Sequence, residues 1–329
     1  MAHDVTLIPG DGAGPEISHA SRRVLDATGV AFSWDVQQAG AEAARVIGTP
    51  LPPETIASIR RTGVALKGPT GAPAGNGVHS VDATVRRELG LYARLHVYRS
   101  YRGATGRDGI DLVTVCENRE ALDSGIPDAA TWRLAHVALQ YARDNRRKRV
   151  TVVTGARGEA QVESNRLGSL REAAEDFPEI ELAELAVDDA RGQLIQRPER
   201  FDVVLLRSPH GDQLLDLCAG LVGGPGLVPG ASIGGEAALF EPAHGAGPEH
   251  GGLNRANPLA MMLCGVLLLR HLEEHEAAGR LERAIADVIA EGKMLTYDMK
   301  SDRHDTNAVG TSQVADGVVA KLLTVKAAA

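Results

Sequence analysis

The chain has 329 residues, of which 43% are hydrophobic, 24% charged and only 3% aromatic, with a formal charge of −8. That length holds one large or two compact domains, and the core must rest on Leu, Val, Ile and Ala rather than on rings. The acidic balance argues against a nucleic-acid surface or an anionic membrane as principal partner.

The opening, MAHDVTLIPG, lacks a basic segment followed by an apolar one, so no secretion signal is read there. A β-branched run predicts a first strand over 5–8, and apolar spacing of three and four predicts a helix over 16–28. Further strands are expected over 64–67, 112–117, 150–154 and 203–206, and further helices over 131–145, 163–176 and 281–291. The longest apolar run, 259–269, is too short to span a bilayer and reads as a buried helix. The stretch 220–235, rich in Gly and Pro, reads as a hinge or boundary, or only as tight turns. Strands alternating with helices predict an α/β fold, a mainly parallel sheet covered by helices. Cys116, Cys218 and Cys264 are odd in number and scattered, which excludes a disulfide framework and a CxxC metal site. A cytoplasmic location is expected.

The first strand runs into Gly10-Asp11-Gly12-Ala13-Gly14-Pro15, a GxGxG loop rather than the Rossmann fingerprint. Alone, such a loop is as often a plain turn as a ligand site. In order along the chain follow Leu66-Lys67-Gly68-Pro69, Arg86-Arg87-Glu88-Leu89, Leu91-Tyr92-Ala93 and Glu117-Asn118. Gly211-Asp212 with Asp216-Leu217-Cys218-Ala219-Gly220-Leu221, then Phe240-Glu241-Pro242-Ala243-His244-Gly245, and finally Ala256-Asn257-Pro258 complete the set. Asp212 and Asp216 stand four apart, on one face of a helical turn, which suits oxygen ligands to Mg²⁺ or Mn²⁺. Most acid pairs at this spacing are solvated helix surface.

Together these blocks resemble the isocitrate/3-isopropylmalate dehydrogenases, the β-decarboxylating dehydrogenases. The resemblance implies a two-domain fold with a cleft between the domains. Residues 1–91 plus 223–329 would form the first, nucleotide-binding domain, and 92–222 the second, carrying metal and dimer contacts. It implies NAD(P) held by the segment from His244 and Gly245 to Asn257, with Glu241 nearby. Glu249, after the loop's proline, would accept ribose hydroxyls and repel a 2′-phosphate, which selects NAD. The metal ligands implied are Asp212 and Asp216, with Asp188 from a second subunit. Arg86, Ser80 and Asp82 fall at the substrate.

Departures from the pattern are as informative. Asp123 stands at the position of the family's proton-donating tyrosine and Gly155 at that of its lysine. His96 and Cys116 replace two of the three arginines that clamp the malate carboxylates, and Asp82 replaces an amide or small apolar residue. Losing two charge-assisted contacts weakens a dianionic core by roughly 1.5–3 kcal/mol each. Asp123 and His96 are candidate replacement acid–base groups, and Arg119 and Arg157 candidate anion ligands, against the plainer reading that all four have drifted. After Gly125 the segment that clasps the dimer partner in the family looks deleted, although a homodimer is still expected. His271-Leu272-Glu273-Glu274-His275 matches a zinc pattern but falls at a helix terminus, and catalysis by zinc is not expected there.

Three functions remain open at this point. One is an NAD- and metal-dependent dehydrogenase of a small 2-hydroxy acid, distinct from standard isocitrate or 3-isopropylmalate turnover. Another is a catalytically inactive nucleotide-binding or regulatory homologue, partnered by an active one. The third is an enzyme using NAD or a related nucleotide as substrate.

Overall fold

A computed structural model of the chain describes residues 2–71, 80–118, 127–155, 168–206 and 211–326. Its strands are β1 (His3–Ile8), β2 (Phe32–Val36), β3 (Val64–Lys67), β4 (Ala93–Arg99) and β5 (Asp111–Glu117). There follow β6 (Arg149–Thr154), β7 (Glu181–Ala186), β8 (Val203–Leu206), β9 (Pro229–Ile233) and β10 (Ala238–Pro242). The early helices are α1 (Gly14–Ala27), α2 (Ala41–Ile47), α3 (Pro53–Thr62), α4 (Val81–Glu88) and α5 (Pro127–Asp144). Next come α6, described over 168–174, and α7 (Val187–Gln196). The last are α8 (Gly211–Leu221), α9 (Leu259–His271), α10 (His275–Glu291) and α11 (Thr311–Lys326).

One ten-stranded sheet runs through the molecule in the order β2-β1-β3-β10-β9-β4-β5-β8-β6-β7. Its flanks are parallel, as the alternation of strands and helices predicts. Its centre is not, because β9 runs antiparallel to both β10 and β4, and β4 antiparallel to β5. The Gly- and Pro-rich stretch expected to be a hinge or turns therefore contains a central strand, β9, whose Ser232 and Ala231 are buried.

Apolar burial divides along the chain. Two clusters draw on 5–91 and 227–322, with Tyr101, and gather around α1, α9, α10 and α3. Two others draw on 93–228, with Ile233 packed at their edge, and gather around α5, α7 and α8. Helix α9 is apolar on nearly every side, so it lies inside the first of these cores rather than on its surface. Among the described residues no helix is long and apolar enough to cross a membrane.

Candidate active site

Strand side chains alternate between faces, so the register decides which residues meet. In the centre of the sheet Glu241 pairs with Gly230, Gly230 with His96, and His96 with Thr114. Lys67 lies one step beyond the Leu66–Phe240 pair, beside Glu241. A polar row thus crosses β3, β10, β9, β4 and β5. On the opposite face the neighbouring row is apolar: Leu66, Phe240, Ala231, Leu95 and Val115.

The row is closed by α4, whose Asp82 and Arg86 stand one turn apart on the same face. Lys67 is only 1% exposed, and its Nζ lies 2.7 Å from Asp82 Oδ1 and 3.0 Å from Glu241 Oε2. Arg86 Nη2 donates to Glu241 Oε1 at 2.8 Å, and Thr70 Oγ1 to Asp82 Oδ1 at 2.9 Å. Burial works against the Lys67 ammonium, but the Glu241 and Asp82 carboxylates outweigh it and raise its pKa. Burial likewise opposes the Glu241 carboxylate, yet Lys67 and Arg86 hold its pKa well below the usual range. Lys67 and Glu241 are therefore both held in their charged forms at neutral pH. Ser80, just ahead of α4, is exposed, and its hydroxyl makes no helix-capping bond.

His96 behaves otherwise than the sequence suggests. Burial lowers its pKa to about 3, aided by Arg94 and Arg86 and opposed by Glu241. At neutral pH the ring is therefore uncharged and a weak base. Its Nδ1 is buried with no hydrogen-bond partner among the described residues. A Cβ on Gly230 would come within 2.9 Å of the His96 ring and of the Glu241 carbonyl, so only glycine fits beneath the ring. Arg94, two residues before His96 and on the same strand face, is a charged neighbour that motif spacing alone does not pick out. The alternation of Arg94, His96 and Tyr98 in β4 was the available signal. Cys116 is buried, its Sγ facing Gly211 at the start of α8, where a Cβ would lie 3.4 Å away.

The loop after β10 packs on the glycine loop after β1. Ala13 N donates to Ala246 O at 2.9 Å. Gly12 has φ 57°, and a Cβ there would sit 2.5 Å from Ala246 O and 2.9 Å from Pro248 Cα. Both a left-handed backbone and a close approach thus require glycine. Asp11 anchors the same loop, its carboxylate accepting from the backbone N–H groups of Ala41, Glu42 and Gly71. Within the loop, His244 Nδ1 donates to Gly245 O at 3.0 Å, which leaves Nε2 as a lone-pair acceptor. That Nε2 is shielded from solvent and has no partner among the described residues. Burial lowers the pKa of His244, against the pull of the Gly245 carbonyl and Asp298. Glu249 is 69% exposed at the loop tip. Asn257 is committed to the scaffold: Nδ2 donates to Asp298 Oδ2 and Oδ1 accepts from Leu259 N, both at 3.0 Å.

Of the acids expected to hold a metal, the side chains of Asp188 and Asp216 are described, and both face solvent. Asp188, in the first turn of α7, is 54% exposed and lies 3.8 Å from Arg191. Asp216 on α8 is also exposed. Asp212 occupies the second position of α8, one turn from Asp216, but its side chain is outside the described residues, as are Asp123, Arg119 and Arg157. Among the described residues no three His, Cys, Asp or Glu side chains come together as a metal site. The His271–His275 pattern is broken by the turn between α9 and α10, and Glu274 is engaged by His3 at 2.9 Å.

A cavity of about 720 Å³ opens on the apolar face of the same strands, lined by Leu95, Val97, Ala231, Phe240 and Leu267 among others. It lies across the sheet from the charged row.

Fold and site together define an α/β protein with a glycine loop packed on the loop after β10 and a buried charged row at the sheet centre. The chain belongs to the isocitrate/isopropylmalate dehydrogenase family, whose model matches residues 4–131 and 126–318. It is 38% identical over 315 residues to the NADP isocitrate dehydrogenase of Thermus thermophilus, covering 90% of this chain and 63% of that protein. The chain thus spans less than two thirds of that relative. It is 37% identical to a regulatory polypeptide of the mitochondrial NAD isocitrate dehydrogenase of Dictyostelium discoideum, over 90% of this chain and 86% of the relative. A crystal structure of isocitrate dehydrogenase from Methylococcus capsulatus superposes with a TM-score of 0.90 at 38% identity, covering 97% of this chain and 99% of that one.

Proposed function

We propose that this chain is an NAD-using, divalent-cation-dependent dehydrogenase of a small 2-hydroxy acid less anionic than isocitrate or isopropylmalate. The observation that carries the reading is the buried acceptor His244 Nε2, left without a partner among the described residues inside a loop locked onto Gly12. A shielded, unsatisfied acceptor costs stability unless a ligand donates to it, and the amino group of adenine is such a donor. Glu249, exposed on the same loop, would accept from ribose hydroxyls and repel a 2′-phosphate. The preference for NAD over NADP rests on that charge.

NAD, when bound, supplies the hydride acceptor. This chain's residues supply the frame around the substrate. Arg86 presents positive charge to a carboxylate, while Glu241 fixes Arg86 and the buried Lys67 ammonium by hydrogen bonds. His96 offers an uncharged ring whose Nδ1 can exchange one hydrogen bond with substrate. Asp123 is left as the candidate to take the hydroxyl proton, since His96 is too weak a base. Mg²⁺ or Mn²⁺ suits the carboxylate chemistry of Asp212, Asp216 and Asp188, and would polarise the substrate oxygens. Because Asp188 is exposed and apart from any cluster within the described chain, the reading places it in the site of a second copy, so the active form is a homodimer. On this reading 1–91 with 223–329 forms the nucleotide domain, and 92–222 the metal and dimer domain.

The exclusion of a standard substrate rests on the residues the resemblance marks as replaced: Asp123, Gly155, His96 and Cys116. Those same replacements favour a second reading, a nucleotide-binding regulatory homologue, and a relative of comparable identity bears a regulatory name. Two measurements separate them. NADH appearance with Mn²⁺ across a panel of small hydroxy acids supports the enzyme. Saturable NAD binding with no turnover across the panel, and capture of an active homologue from the native host, would establish the regulatory reading instead.

A further inference from the structure

From the contact between Asp82 and Lys67 we infer that Asp82 is a specificity-determining residue, one that sets this site for monoanionic substrates and against dianions. The inference deepens the dehydrogenase reading, and rests on it for where the substrate lies.

Lys67 is the most deeply buried cation of the row, at 1% exposure, and the only charged side chains that meet it among the described residues are carboxylates. Glu241 is shared with Arg86, so one carboxylate faces two cations. Asp82 supplies the second carboxylate. With it, the chain Asp82–Lys67–Glu241–Arg86 has two positive and two negative charges and no net charge; without it, the same chain would carry +1. The field that these groups project toward an incoming anion is therefore switched by this single side chain.

The geometry makes Asp82 the outward member. Its side chain is 31% exposed, against 11% for Glu241. Lys67 and Thr70 both bind Oδ1, and Oδ2 makes no hydrogen bond among the described residues. A substrate approaching Arg86 therefore meets the Asp82 carboxylate on the same helix face, one turn away. A second carboxylate on that substrate is repelled by Oδ2, whereas a hydroxyl or ammonium donor is accepted by it. The substrate class this selects is a 2-hydroxy acid with one carboxylate and a neutral or donor-bearing remainder.

The test is calorimetric titration of the full chain with malonate, a dianion, and glycolate, a monoanion, in Mg²⁺-containing buffer. Wild type is expected to bind glycolate more tightly than malonate. Asp82→Asn, which keeps the Thr70 and Lys67 hydrogen bonds but removes the charge, is expected to shift the affinity ratio toward malonate by about tenfold. Asp82→Glu, which keeps the charge, is expected to retain the wild-type ratio and guards against a general loss of fold. An unchanged ratio in a folded Asp82→Asn protein, or tighter malonate binding by wild type, overturns the inference. The ratio is read without NAD turnover, so a protein that passes this test but oxidises no hydroxy acid loses the dehydrogenase reading alone. One that oxidises hydroxy acids with an unmoved ratio loses the role of Asp82 alone.

Discussion

The buried row and the acid-bearing helices are both rich in charge, yet they are built in opposite ways. Lys67, Glu241 and Arg86 are held by one another at 2.8–3.0 Å in the middle of the sheet. Asp188 and Asp216 stand exposed on α7 and α8, with no third ligand beside them in the described chain. The difference is one of preorganisation. Charges removed from water must be paired as the chain folds, because an unpaired one costs several kcal/mol. Charges left in water can wait for a cation or a second chain. The row is thus a property of folding, and on the proposed reading the acids are a property of assembly.

Substitutions sharpen that contrast. The largest effect is expected for Glu241→Gln, which leaves Lys67 and Arg86 buried with one carboxylate fewer, a loss of about 3 kcal/mol in denaturant-induced unfolding. Loss of less than half that figure would mean that water reaches the row. Next comes Gly12→Ala, where a Cβ at φ 57° would strike Ala246 O and Pro248. A destabilisation of about 1–3 kcal/mol is expected, with NAD affinity weakened about tenfold because the His244 loop is displaced. Unchanged NAD binding would separate the two loops.

The pH dependence follows from the same row. The folded pKa of Glu241 lies below its ordinary value of 4.5, so its contribution is complete above pH 4.5 and is lost as pH falls through the lower folded value. Lys67 is raised above 10.5, so its contribution is complete below that pH and is lost as pH rises through the higher folded value. Glu241→Gln is expected to flatten the acid limb of a stability–pH curve measured by denaturation. Equal acid limbs in wild type and variant would remove Glu241 as its source. The smallest effect on stability, within about 0.5 kcal/mol, is expected for Asp216→Asn, since the side chain is exposed. The same variant is expected to abolish Mn²⁺ binding in calorimetry, and retained binding would place the cation elsewhere.

Much of this architecture is legible in the order of residues. Strands rich in Val, Ile and Leu announce themselves, and those expected over 64–67 and 203–206 coincide with β3 and β8. Strand β4 does not, because Arg94, His96 and Arg99 interrupt its apolar character; one face of it belongs to the site. Strand β9 is hidden by Gly and Pro, and Gly230 is there because the His96 ring occupies the space a side chain would take. The resemblance brings Glu241, Arg86 and Asp82 into the site, but not the ion pairs of Lys67 with Glu241 and Asp82, or of Arg86 with Glu241. Those depend on a register between β3 and β10, whose Lys67 and Glu241 lie 174 residues apart along the chain. The charge state of His96 is equally out of reach, since burial and two neighbouring guanidinium groups set it rather than its own residue type.

The proposed preference for NAD rests on the His244–Asn257 loop and the charge of Glu249. Calorimetric titration of the purified protein with NAD and NADP, alongside Glu249→Lys, tests it directly. The expected result is saturable NAD binding tighter than NADP in wild type, with the preference reversed in the variant. No heat with either nucleotide, or an order of affinities indifferent to residue 249, would contradict it.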